Sequence, residues 1–326
     1  MALHLVIERR LTQMAKPELL INPKNIQEIE LLSTAGIDAF VIGDARFGIM
    51  VHGSFGEKDL EGAVKTVHAF GKKVYLLIDA IFPNALLAEL EIYLHKIKHL
   101  PFDGIRVADL GAYMLIKQIM PETPIHLVDA MMLTNYFTVN YWSKRGITRV
   151  RLAHELTLSE VLEIKKEATP EIEVLIQGTP LMFTSRRKLV GNYLDFQKRI
   201  GKDASLFDDG NFLFDEERDL YYPIIENEHG THIYGGNDVC MVDDLAELLS
   251  AGIDVFYIER QGFETEALVK MVQLYRMSID LATNDKEKYH KVGPALYAEA
   301  AKLQQELRRM DRGFYYKPTI YRNQSK

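Results

Sequence analysis

Leu32 to Ile42 reads LSTAGIDAFVI, and Leu249 to Ile258 reads LSAGIDVFYI. Each copy ends a helical pattern at Gly, the residue that takes a left-handed cap without a Cβ penalty, and then enters a buried-looking strand. This is what an αβ loop looks like, and working outward from the two copies gives the same beat along most of the chain. Short apolar runs at 18–21, 39–43, 74–79, 104–109, 125–129, 149–152, 174–177 and 255–259 read as strands. Amphipathic stretches at 25–35, 57–70, 86–98, 113–120, 138–145 and 158–167 read as helices between them. Such alternation implies parallel pairing through right-handed crossovers. Eight units in 326 residues predict an α/β fold, a (β/α)8 barrel of the TIM type rather than an open sheet. Val41, Leu76, Val107, Leu127, Leu152, Leu175 and Tyr257 should then be buried inside their strands.

The expected organisation is one barrel domain over 16–326, preceded by an N-terminal extension at 1–15 and interrupted by an insertion or lid at 179–250. The seventh and eighth strands are separated by roughly 75 residues, and connections of that length are usually lids or small subdomains. Within it lie the acidic pair Asp208-Asp209 and a run, His229 to Ile233, that reads as a short strand. Residues 287–312 read as one long helix closing the barrel, ahead of Gly313 and the aromatic Phe314-Tyr315-Tyr316.

A hydrophobic content of 47% with 26% charged residues describes a globular chain able to bury a large core. The net charge of −7 argues against a general nucleic-acid coat protein and leaves room for a local basic patch that grips RNA. Cys240 is the only cysteine, which excludes an internal disulfide and a cysteine-only metal cage. Among apolar neighbours it reads as a small buried hydrophobe, the alternative being a thiolate nucleophile. Glu8, Arg9 and Arg10 stand where a signal peptide needs an apolar core, and no apolar run is long enough for a membrane span, so a cytoplasmic protein is expected.

In barrels of this kind the active site gathers at the C-terminal strand ends. Those ends carry Asn22, Asp44, Asp79, Asp109, Asp129, His154-Glu155, Gln177-Gly178 and Glu259-Arg260. Converging acids can carry protons or bind cations, and Asp44 and Asp109 can equally be helix caps. Glu155 beside His154 is the candidate for proton transfer, with Asp129 and Glu259 as further catalytic candidates. After the seventh strand comes a cationic run, Ser185-Arg186-Arg187-Lys188, followed by Asn192. With Gln177 these residues could form an anion-binding rim, Arg187 foremost, or a solvated charged turn. HExxH, GxGxxG, GxxxxGK[ST] and GxSxG are missing, the histidines are scattered, and no metal-ligand set is found.

Several of these segments resemble peptidase family U32, the collagenase-like proteins, over nearly the whole chain. The pieces are Glu18-Leu19-Leu20, Gly43 with Phe47-Gly48, Gly71 to Tyr75, Asn135, Ala153-His154-Glu155-Leu156, Asn237 to Cys240, Ala251 to Asp254 and Arg312-Gly313-Phe314. The family's signature segment reads His-Gly-x-x-Cys and then Tyr-Ser-Gly-Arg-Cys. Here Gln177 takes the place of the His, Leu181 and Lys188 take the places of the cysteines, and only Ser185 and Arg187 of the second half survive. Many relatives hold an iron–sulfur cluster on four cysteines, so the resemblance is to the cluster-free branch found in Gram-positive bacteria, and no cofactor is firmly implied. That branch implies 5-hydroxylation of the wobble uridine of tRNA with prephenate as co-substrate. The resemblance leaves two alternatives open: a collagenase-like peptidase, or a non-catalytic subunit partnering a U32 paralogue. A homo-oligomer is equally compatible with it.

Overall fold

The computed structural model describes residues 16–128, 133–201, 211–304 and 308–317. Eight strands close into a parallel barrel: β1 (Glu18–Ile21), β2 (Ala39–Ile42), β3 (Lys73–Ile78), β4 (Gly104–Val107), β5 (Ile125–Leu127), β6 (Ile147–Arg151), β7 (Glu171–Gly178) and, much later in the chain, β13 (Val255–Ile258). Each pairs in parallel with its predecessor, and β13 pairs with both β7 and β1 to shut the ring. The seven residues expected inside their strands are all buried, none more than 7% exposed.

Helices α1 (Ile26–Ala35), α2 (Glu57–Ala69), α3 (Asn84–Ile97), α4 (Leu110–Ile119), α5 (Tyr136–Ser143) and α6 (Leu158–Glu167) alternate with the strands. Their starts follow local chemistry. Asn25, Asp109 and Asn135 accept the N–H groups of Glu28, Ala112 and Thr138, and Thr157 and Glu160 form a capping box. Gly36, which ends the first copy of the repeated segment, has φ +113° and its N–H reaches Leu32 and Ser33.

After β7 the chain builds β8 (Leu181–Ser185), α7 (Leu189–Arg199), β9 (Asn211–Asp215), β10 (Leu220–Asn227) and β11 (Gly230–Tyr234). The four strands form a separate antiparallel sheet in the order β8-β11-β10-β9. The run read as a short strand is β11, and Asp208-Asp209 lie outside the described residues. Then β12 (Asn237–Cys240) returns antiparallel to β7 and α8 (Ala246–Ser250) leads into β13.

The C-terminal part differs from a single long helix. α9 (Thr265–Asn284) and α10 (Lys286–Lys302) are separate, Asp285 capping the second, and β14 (Arg309–Asp311) follows in parallel with β12. The apolar stripe of α10 ends at Ala300. Beyond it the arginines have partners that only an extended strap can reach: Arg308 bonds Asp238 and the Gly235 carbonyl, and Arg312 reaches Asp243 at 2.6 Å.

The barrel lumen is polar. Arg149 of β6 bonds Glu18 of β1 at 2.7 Å, and the Tyr75 hydroxyl of β3 donates to the same carboxylate at 2.9 Å. One tier higher, Arg106 of β4 holds Glu173 of β7 through two parallel bonds of 2.7 Å. These strands are not hydrogen-bonded neighbours, so both bonds cross the interior. Arg151 lies beside them, its guanidinium carbon 4.1 Å from the Tyr257 ring centroid and its Nε 3.8 Å from Glu173.

The two arginines should therefore behave differently on removal. Arg106→Met leaves a fully buried carboxylate without its bidentate partner and should cost about 3–5 kcal/mol. Arg151→Met removes a buried charge that, among the described residues, donates no hydrogen bond, and should change stability by less than about 1 kcal/mol. Urea unfolding of both variants checks this, and equal destabilisation would contradict it.

Candidate active site

A cavity of about 290 Å³ opens at the C-terminal mouth of the barrel. Arg106, Arg151 and Tyr257 line its floor, Asn22, Asp79, Asp109 and His154 its polar wall, and Ile81, Leu181 and Thr184 its rim. Leu181 and Thr184 come from β8, so the insertion supplies one wall.

The floor is rich in donors. Arg151 is 7% exposed, and among the described residues none accepts a hydrogen bond from its guanidinium. Arg106 is committed to Glu173, although its Nε is also unpartnered, as is the Asn22 Oδ1. Buried polar atoms are nearly always bonded in folded proteins, and a guanidinium presents five N–H donors. An arginine held by an aromatic ring and aimed at a cavity without an acceptor is built to receive one, and a carboxylate or phosphate fits it bidentately.

Asp79 ends β3 and faces this floor. Burial pushes its carboxyl above the usual range, only partly offset by N–H bonds from Ile49 at 2.6 Å and Met50 at 3.4 Å and by the two arginines. A cavity-facing carboxyl tuned in this direction can exchange a proton. Opposite it, burial and the nearby Arg151 charge pull the His154 imidazole down to about 3, so it is neutral at physiological pH.

The sequence candidates divide. His154 lines the cavity, whereas Glu155 beside it is exposed to solvent. Asp129 lies outside the described residues. Glu259 is buried and tied to His52, to the Tyr257 hydroxyl at 2.8 Å and to the Gln261 N–H at 3.1 Å. Burial raises its carboxyl, but the His52 charge and these bonds outweigh that and hold it at about 2. It pins the β2–α2 loop over the barrel as a permanent carboxylate. Gln177 is turned out of the lumen by the irregular register at the end of β7, and its Oε1 accepts from Tyr275 of α9 at 2.9 Å. Asp109 combines both of its readings, capping α4 and lining the cavity. Asp44 is held by Arg46 at 2.7 Å.

Of the cationic run, Arg186, Arg187 and Lys188 are exposed and absent from the cavity lining, as is Asn192 on α7. Ser185 accepts the Arg187 N–H at 3.2 Å. Cys240 is buried against Tyr275, and burial pushes its thiol up, as suits a small hydrophobe rather than a nucleophile. With Leu181 in the cavity rim and Lys188 at the surface, the donor set does not fit an iron–sulfur cluster, which needs several thiolates. Arg106, Arg151, Asp79 and His52 carry the chemistry or its support and were not among the chosen candidates. The available signal was a charged residue at every second position of an otherwise apolar strand, as in Arg149 and Arg151.

Because the Glu259 carboxyl is lowered from its ordinary value of 4.5 to about 2, its stabilisation is present above pH 4.5 and fades as pH falls toward 2. Glu259→Gln should cost on the order of 3 kcal/mol at pH 7, and the gap to wild type should narrow below pH 4.5. Denaturant titrations across that range measure it, and a gap that widened with acid would refute the assignment.

The family model of peptidase family U32 matches residues 24–325. The chain is similar to the tRNA hydroxylation protein P2 of Bacillus subtilis, 37% identical over 309 residues that cover 94% of this chain and 100% of that protein. It is also similar to the tRNA hydroxylation protein P of Escherichia coli, 26% identical over 84% of this chain and 70% of that protein. A more distant likeness, 21% identical over 75% of this chain and 36% of the other, is to the 23S rRNA 5-hydroxycytidine C2501 synthase of Escherichia coli. With the family match running over almost all of a closed parallel barrel, the chain belongs to peptidase family U32.

Proposed function

We propose that this protein acts in the 5-hydroxylation of a uridine in tRNA, the wobble position being the target and prephenate the co-substrate. The observation that carries this reading is Arg151, a buried guanidinium that among the described residues donates no hydrogen bond, on the floor of a cavity large enough for one small organic acid. Prephenate bears two carboxylates, and one of them would complete the bonds that Arg151 lacks. The full-length likeness to proteins named for tRNA hydroxylation supports RNA as the second substrate. A role in tRNA modification would place the protein in the cytoplasm, and among the described residues no helix is long and apolar enough to cross a membrane.

In this reading the base approaches the mouth past Ile81, Leu181 and Thr184, and the acid lies beneath it on the arginine floor. Replacing the C5 hydrogen of a uracil by a hydroxyl removes a proton and two electrons from C5. A separate two-electron oxidant that supplies the oxygen must therefore act with this site, and the part this chain's own residues can carry is the proton transfer. Asp79 is the carboxyl at hand, held in the polar wall by the Ile49 N–H and tuned toward proton exchange. His154, neutral, offers a hydrogen bond to a carbonyl oxygen of the base or to the acid.

Nucleoside mass spectrometry of tRNA from a strain lacking this gene and any other U32 gene tests the reading. The strain should lose 5-hydroxyuridine and regain it with the wild-type gene. Asp79→Asn should restore it at a rate lower by about 100-fold. Unchanged 5-hydroxyuridine after reintroducing an empty vector would sink the function, and full rescue by Asp79→Asn would sink the role of that carboxyl.

A further inference from the structure

We infer that α7 and the cationic turn before it are the docking surface for a single-stranded RNA loop, which rests on the tRNA reading above and assigns where that substrate is gripped. Among the described residues, the hydrogen bonds that tie α7 to the insertion sheet lie at its first turn. The N–H of Leu189 bonds Thr231 at 2.9 Å, and those of Val190 and Gly191 bond Glu226 at 2.9 and 3.2 Å. No residue of the helix is buried. Leu189, Tyr193, Phe196 and the C-cap Ile200 follow helical spacing and make one apolar stripe, exposed at 39%, 59%, 55% and 50%.

An apolar stripe left in water calls for an occupant, and the charges around it choose one. Residues 186–199 contain the cations Arg186, Arg187, Lys188, Lys198 and Arg199 against a single acid, Asp195. All five are exposed, and among the described residues none has an ion-pair partner, in a chain of net charge −7. A second copy docked here on a two-fold axis would bring two such cationic clusters face to face. RNA satisfies both features: phosphates take the cations, and unstacked bases lie on Tyr193 and Phe196. The path is continuous with the cavity. Thr184 of β8 lines its rim, and Arg186 follows directly after the strand's last residue, Ser185, two residues on from Thr184 and at most about 7 Å along an extended chain. A loop gripped by the turn and α7 thus has one nucleotide at the barrel mouth, where a base extruded from its stack could enter.

The test is fluorescence anisotropy of the full chain with a labelled anticodon stem-loop RNA, titrated at several salt concentrations. Wild type should bind with a salt-dependent affinity. Reversing three charges together (Arg186→Glu, Arg187→Glu, Lys188→Glu) should weaken binding at least tenfold and flatten the log–log salt slope by about 2. Tyr193→Ala with Phe196→Ala should also weaken binding about tenfold but leave that slope unchanged. Because these side chains are exposed, the melting temperature of both variants should match wild type. If wild type binds and both variants bind equally well, this surface is overturned while the tRNA reading stands. If wild type binds no RNA, both fall. If the aromatic variant instead dissolves a wild-type dimer seen by light scattering, the stripe pairs copies of the chain and the inference is wrong.

Discussion

The bidentate bond between Arg106 and Glu173 is the constraint around which this barrel is arranged. It joins β4 to β7 across a lumen that most barrels of this type fill with branched apolar side chains. Burying two charges is costly and is offset only when the geometry is good and the remaining groups are satisfied. Glu173 is fully buried, and Arg106 takes both its oxygens. Arg151 is left to share the carboxylate at a distance, stacked on Tyr257, and among the described residues it donates no hydrogen bond. A site for an anion follows from how the core solves its own charge balance.

That balance explains the division of labour at the mouth. Groups fully engaged with other protein groups serve the frame: Glu259 with His52 and Tyr257, Asp44 with Arg46, Glu28 with Arg260 and Thr265. Among the described residues, the Arg151 Nε and the Asn22 Oδ1 are left without a hydrogen-bond partner, and both residues face the cavity beside Asp79 and His154. The insertion adds one wall through β8 and carries a cationic, aromatic surface outward on α7, so one connection contributes both to the cavity and to the ground in front of it.

Much of the fold was legible because its signals are local. Glycine at a helix end, an apolar run after it and a capping Asn or Asp before the next helix need no knowledge of distant residues. Seven of the eight strands fall within two residues of where those signals place them at either end, while β7 begins three residues earlier. The insertion was legible as an interruption but not as a four-stranded sheet, because β9 and β10 gain their pairing from each other and their short aromatic runs lack a buried face. The helix read over 287–312 starts with α10 but runs past its end at Lys302, because the helix-forming sequence continues beyond the last buried position, Ala300. The site was less legible. Proton and anion chemistry were sought at strand ends, where Glu155 and Arg187 are conspicuous in sequence yet exposed in the fold. The strand ends do supply Asn22, Asp79, Asp109 and His154 to the cavity, but the arginines of its floor lie within strands and His52 lies on a loop. Arg106 and Arg151 point inward by strand alternation, and His52 meets Glu259 only after the chain has travelled around the ring.

The claim on which the account turns is that Arg151 receives a carboxylate, and calorimetric titration of prephenate into wild type and Arg151→Met measures it directly. Wild type should bind, and the variant, folded as stably as wild type, should bind at least about thirty-fold more weakly, the loss of one charge-assisted pair in a shielded site. Equal affinities in the two proteins would show that the anion binds elsewhere and that the guanidinium on the cavity floor has another purpose.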